Sequence, residues 1–148
     1  MRQTVAILLL AGALSGAVNI GAQETHSFKA RLSPMPISVD MAARVTGSGS
    51  VTAILTGTLL AVTGTFSGLQ SPATVGRMHA GDRTGVRGPA VLQLIVTSAA
   101  SGTISGVFEL TPEQLDGLRR GRLYVQLHSE GAPDGNVWGW LLPAEGQR

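Results

Sequence analysis

Two histidines stand where they could supply nitrogen ligands to a metal ion. His79 ends a segment with strand-like alternation, in which it shares a face with Arg77. His128 ends a second such segment and shares its face with Tyr124 and Gln126. If the two segments are neighbouring strands, His79 and His128 could both point at one copper or zinc ion, since imidazole suits both metals.

A structural interpretation of the same histidines is favoured. Each precedes a loop, at 80–89 and 129–136, whose backbone an imidazole could hydrogen-bond. Arg77 places a permanent positive charge beside the site, where it would repel a cation. The carboxylates of Asp82 and Asp134 could complete a ligand set, but aspartate is also an ordinary turn residue. We therefore expect no cofactor, with copper or zinc bound at His79 and His128 as the alternative.

Three arginines, at 77, 83 and 87, cluster around the first loop. Only one acid, Asp82, lies among Arg77, Arg83 and Arg87. Guanidinium groups bind carboxylate and sulfate in paired hydrogen bonds, so this segment could bind an anion or an acidic glycan. The alternative is a solvated loop whose arginines pair with Asp82 and nearby carbonyl groups.

The only two tryptophans, Trp138 and Trp140, are two residues apart near the C-terminus. Strand alternation puts them on one face, opposite Val137 and Leu141. With Val137 and Leu141 in the core, the indoles point outward with Tyr124 of the preceding strand and could stack on a sugar or another protein. The alternative is that the helix or the N-terminal loop covers them.

Composition and the absence of known motifs exclude several kinds of functional site. The chain has no cysteine, which excludes disulfides, thiolate metal sites and a cysteine nucleophile. Eleven basic residues against nine acidic ones do not indicate nucleic-acid binding. No Gly-x-Ser-x-Gly motif or phosphate-binding loop is present. We expect a protein that is not an enzyme, with dismutase activity the one reaction worth assaying.

The N-terminus predicts export. Met1 to Thr4 carry one positive charge, and an apolar segment of 14 residues from Val5 to Val18 follows. That segment is too short to cross a bilayer and ends in small residues, as signal peptides do. We predict cleavage after Ala22, which leaves residues 23–148 as one domain without a transmembrane segment, secreted or periplasmic.

The elements that carry these residues are short strands between turns. Threonine, serine, glycine and valine are abundant and aromatic residues are only 4% of the chain, which favours an all-β domain. Thr111, Pro112 and Gln114 mark the start of one short helix near 111–120. We predict a single antiparallel, Greek-key-like β-sandwich of about seven or eight strands, at 28–32, 50–55, 58–66, 74–79, 90–97, 103–110, 122–128 and 136–142.

Two segments resemble the CHRD domain, the chordin-type domain that also occurs in bacterial exported proteins. The first is GLQSPATVGRMH at 68–79 with GVRGP at 85–89, similar to a family segment that usually ends in His-x-His. The second is LYVQLHS at 123–129 with PDGNVWGWL at 133–141, similar to the family's closing motif. Arg77 replaces the first histidine of the His-x-His, and the two tryptophans stand where family members more often have polar residues.

The resemblance implies an extracytoplasmic β-domain that acts as a binding or structural module. The His-x-His is itself similar to the metal-binding strand of copper/zinc superoxide dismutases, which is what makes the metal alternative worth weighing. Expected partners are an extracytoplasmic protein, a glycan or a metal. The sequence predicts the two loops after His79 and His128 as the working surface.

Overall fold

The structure is a computed structural model that describes residues 21–35 and 38–144. The predicted signal peptide, residues 1–22, lies almost entirely outside the described residues. None of the described helices is long and apolar enough to cross a membrane.

Nine strands, one α-helix and one short 3-10 helix make up the described chain. A capping box starts the α-helix, as the sequence predicts: Thr111 accepts a hydrogen bond from the Gln114 N–H, and the Gln114 side chain accepts one from the Thr111 N–H. The strands are β1 (Thr25–Pro34), β2 (Ser48–Thr56), β3 (Leu59–Ser67), β4 (Ala73–Ala80), β5 (Ala90–Val96), β6 (Gly102–Glu109), β7 (Leu123–Ser129), β8 (Ala132–Trp140) and β9 (Leu142–Pro143), with α1 at Pro112–Arg119 and the 3-10 helix at Val39–Arg44.

The strands form two antiparallel sheets that join at both sides. The first sheet has the order β9-β1-β2-β3-β6, and the second has the order β5-β4-β7-β8. At one side β5 pairs with β6 through Ile95 and Val96, and at the other β1 pairs with β8 through Ser33 and Pro34. The return of β7 to lie beside β4 is a Greek-key connection. The all-β, Greek-key prediction is therefore confirmed, with the sandwich closed like a barrel.

One apolar core fills the space between the sheets. Most strands contribute alternate residues, as the spacing predicts: β1, for example, buries Phe28, Ala30 and Leu32 and exposes Lys29 and Arg31. Strand β7 departs from this rule because all seven of its residues are buried. Other segments of the chain must therefore cover the side chains on the outer face of β7.

The predicted loop between the last two long strands is mostly strand. Strand β8 starts at Ala132 instead of Asn136, and only Glu130 and Gly131 form the turn. Ser129 pairs with Ala132 and Leu127 with Val137, so four residues of β8 lie opposite one residue of β7. This bulge tolerates Pro133, which could not donate a ladder hydrogen bond. Because proline is rare inside strands, the sequence predicts a loop at this segment.

Candidate functional site

The predicted site residues meet on the outer face of the second sheet. His79 lies opposite Tyr124 and Tyr124 opposite Trp140, so these three form one row across β4, β7 and β8. In the next row Arg77 lies opposite Gln126 and Gln126 opposite Trp138. We call this surface the aromatic face. Its strands carry six of the eight predicted site residues: Arg77, His79, Tyr124, His128, Trp138 and Trp140.

Gly88 of the loop between β4 and β5 is bound to the aromatic face by three hydrogen bonds. His79 Nδ1–H donates to the Gly88 carbonyl at 2.9 Å, and the Tyr124 hydroxyl donates to the same oxygen at 3.1 Å. The Gly88 N–H donates in turn to the Tyr124 hydroxyl oxygen at 3.1 Å. The imidazole of His79 also stacks on the Tyr124 ring, with centroids 4.9 Å apart. His79 thus orders this loop, as the structural interpretation predicts.

The two indoles pack around Tyr124 and remain half-buried. The Tyr124 ring centroid lies 4.5 Å from that of Trp140 and 5.6 Å from that of Trp138. The Arg87 guanidinium lies over the Trp138 ring, 5.3 Å from its centroid. The tryptophans therefore point outward as the sequence predicts, but they are covered in part by Tyr124, by Arg87 and by each other.

The β8 bulge buries His128 and Gln126. His128 Nδ1–H donates to the Pro133 carbonyl at 2.8 Å. The Gln126 amide donates to His128 Nε2 at 3.3 Å and to the Asp134 carbonyl at 3.2 Å. His128 and Gln126 are 7% and 6% exposed, because Pro133 to Asn136 fold over them. Both nitrogens of His128 thus have protein partners, and this histidine also orders the loop that follows it.

Among the residues that the structure describes, three polar side-chain atoms at this site are buried without a hydrogen-bond partner. They are His79 Nε2 and both amide atoms of Asn136, a side chain with no solvent exposure. A buried polar group without a partner costs on the order of 1–3 kcal/mol. Burial lowers the pKa of His79, the Gly88 hydrogen bond opposes that shift, and His128 and Arg77 lower the pKa further. His79 therefore presents a neutral imidazole with an unshared lone pair at Nε2.

The two histidines are not side by side. Val75 lies opposite His128 and Tyr124 opposite His79, so four residues separate the histidines along the sheet, roughly 13 Å. Within residues 21–35 and 38–144 no group of three histidine or acidic side chains could hold a metal ion. One ion held by both imidazoles would require the Gln126 amide to leave His128 Nε2 and His79 to turn from its stack.

The remaining predicted arginines differ in position, and three residues that the sequence analysis did not propose as site residues belong to the site. Arg77 is exposed on the aromatic face, whereas Arg83 lies exposed in the loop between β4 and β5. The buried amides of Gln126 and Asn136 belong to the site. Alternation predicts that Gln126 shares a face with Tyr124 and His128, but nothing in the sequence predicted the burial of either amide. Gly88 was missed because its backbone, not its side chain, makes the contacts.

Comparison with known proteins identifies the family. The CHRD domain family matches residues 28–141, from within β1 to the residue after β8. No curated protein and no solved structure matches the chain. Because the match spans most of the sequence and includes both resembling motifs, the chain belongs to the CHRD domain family.

Proposed function

We propose that this CHRD domain is a non-catalytic binding module and that the aromatic face is its binding surface. The carrying observation is the pair of half-buried indoles packed around Tyr124, with the Arg87 guanidinium over the Trp138 ring. Rigid elements hold these groups, and the loop that carries Arg87 is bound to the same face. Aromatic and polar groups fixed in this way are typical of recognition sites.

An acidic glycan is the ligand class that this surface fits best. A sugar ring can stack on the exposed part of Trp138 or Trp140, and the exposed Arg77 and Arg83 can bind carboxylate or sulfate groups. Each feature is common by itself, and their presence on one face is what supports the proposal.

Tryptophan fluorescence tests this proposal directly, because Trp138 and Trp140 are the only tryptophans. We expect oligogalacturonate or a heparin-derived hexasaccharide to change the emission of the folded domain at low salt. The Arg77→Ala variant should bind the same sugar several-fold more weakly, whereas Arg44→Ala, which removes an exposed arginine of the 3-10 helix, should bind like the wild type. The same change of emission with neutral and with acidic sugars would refute the acidic-glycan proposal. So would the absence of any change with either sugar.

A copper or zinc ion is a second candidate ligand. Both histidines donate through Nδ1–H to a backbone carbonyl, the arrangement seen in many metal-ligating histidines. Nε2 of His128 would have to exchange the Gln126 amide for the metal. Calorimetric titration with Cu(II) and with Zn(II) tests it. A metal site predicts that binding is lost when His79 and His128 are both replaced by alanine; if the double variant binds as the wild type does, the metal is held elsewhere.

We propose further that the protein is exported and that residues 1–22 are removed. The first strand begins at Thr25, so cleavage after Ala22 would remove no described element. N-terminal sequencing of protein recovered outside the cytoplasm should start at Gln23. A sequence that starts near Met1 would contradict cleavage.

A further inference from the structure

The outer face of the first sheet is a regular array of short side chains on β1, β2, β3 and β6. Outward residues align in rows, such as Lys29, Thr52, Thr63 and Ser105, and Arg31, Ser50, Thr65 and Thr103. We call this surface the threonine face. It lies on the opposite side of the molecule from the aromatic face, so whatever it binds is additional to the proposed function.

An exposed apolar patch crosses one end of the threonine face. Val107 is 67% exposed and Ile95, on the adjoining strand β5, is 72% exposed. Ile54 and Ala61 lie in the same row as Val107, and Leu59, 45% exposed, lies diagonally beside it. Large exposed apolar side chains grouped in this way mark an interaction surface more often than singly scattered ones do.

Charged residues stand at opposite corners of the threonine face. Lys29 and Arg31 lie at the β1 corner, and Glu109, at the β6 corner, is the only acid that points outward from these four strands in the described chain. A shallow groove of about 630 Å³ runs beside Lys29 and Arg31 and is lined by small residues such as Gly49 and Ser50. The basic corner thus offers space and charge for an acidic side chain.

This pattern is self-complementary. Two copies can stack face to face about a two-fold axis that lies in the plane of contact, perpendicular to the line from Glu109 to Arg31. Glu109 of each copy then lies over the basic groove of the other, Val107 meets the small residues of that groove, and Ile54 lies near the axis. The strands of the two sheets cross at a large angle, which is one of the two common ways in which sheets pack.

The size of the face is suited to a weak dimer. Four strands about 4.8 Å apart, each with four outward residues, cover roughly 500 Å² per copy, or about 1,000 Å² in total. Specific interfaces start near this total, about 1,000 Å². We propose that the threonine face is the interface of a homodimer in which Glu109 of each copy pairs with Lys29 and Arg31 of the other.

Sedimentation equilibrium of the chain without residues 1–22 tests the dimer. We expect reversible dimerisation as the concentration rises to the millimolar range. Glu109→Lys should weaken dimerisation at least about tenfold, because three cations would then meet at each end of the interface. Lys29→Glu with Arg31→Glu should weaken it likewise, and all three substitutions together should restore it.

Glu113→Lys is the matched control, since it makes the same change of charge on an exposed residue of α1. It should leave dimerisation unchanged. A wild type that remains monomeric at every concentration would overturn the proposal. Equal weakening of dimerisation by Glu109→Lys and Glu113→Lys would also overturn it. So would a triple variant, with Glu109→Lys, Lys29→Glu and Arg31→Glu, that stays monomeric. Circular dichroism of each variant separates loss of the dimer from loss of the fold.

Discussion

At the scale of single residues, Gly88 is where the aromatic face and its loop are joined. Its carbonyl accepts hydrogen bonds from His79 and Tyr124, and its N–H donates to the Tyr124 hydroxyl. The bond from His79 uses Nδ1–H and leaves Nε2 buried without an acceptor. A proton added at Nε2 would therefore place a charged N–H where nothing accepts it. Protonation would keep the Nδ1–H bond to Gly88 but would charge a ring that is partly removed from water, so the folded state favours the neutral imidazole.

We expect the free energy of unfolding to fall as the pH decreases below about 6.5, the ordinary pKa of histidine. The pKa of His79 is lower in the folded state, so the unfolded chain binds more protons in that range and acid favours unfolding. Urea denaturation between about pH 7.5 and about pH 5.5 measures the effect. His79→Asn should reduce the pH dependence of the free energy of unfolding relative to the wild type. If the free energy of unfolding changes equally with pH in the wild type and in His79→Asn, this prediction is contradicted.

At the scale of elements, the β8 bulge converts a strand into the cover of its neighbour. Gly135 makes this possible: its φ of +132° is a conformation that side chains rarely adopt. A Cβ at this position would overlap the Met35 sulfur and lie 2.8 Å from Gln126 Nε2. The close approach of backbone to these two side chains is what buries Gln126 and His128.

Gly135→Ala should destabilise the domain by about 2–4 kcal/mol, from backbone strain together with overlap at Met35 and Gln126. Gly85→Ala is the matched control, because Gly85 also has a positive φ, +85°, but a Cβ there would meet nothing within 4 Å. We expect about 1 kcal/mol for the control. Denaturant unfolding of both variants gives the comparison, and equal losses would show that packing at the bulge contributes nothing.

At the scale of the whole molecule, the two sheets share one core and are joined at both sides. Strand β1 pairs with β2 along most of its length and then passes to β8 at Ser33 and Pro34. Leu32, with no exposed surface, is the last core residue before that crossing. The aromatic face on the second sheet therefore depends on packing that the first sheet supplies.

Leu32→Ala should cost about 2–5 kcal/mol and lower the stability of both sheets in a single transition. Far-ultraviolet circular dichroism follows all the strands, whereas tryptophan fluorescence follows only β8, and we expect the two curves to coincide. Leu142→Ala should lower the free energy of unfolding by much less than Leu32→Ala, because Leu142 is already 45% exposed. Separate midpoints for the two signals would mean that the sheets unfold independently.

The sequence alone determined the fold class, because alternation, turn residues and the capping box at Thr111 are local signals that the structure follows. It also determined which face each site residue occupies, since alternation puts Tyr124 and His128 together, and Trp138 with Trp140. It misplaced the start of β8, because Pro133 and Gly135 usually indicate a loop and a bulge uses the same residues.

Only the tertiary structure decided what those site residues do. The distance between His79 and His128 depends on the register of β4 against β7, which no local pattern sets. The burial of Gln126 and the partners of both histidines depend on backbone groups of Gly88, Pro133 and Asp134, which reach the sheet through loop and bulge geometry. Contacts made by backbone atoms across distant segments carry no residue-type signature, so they appear only once the chain is folded.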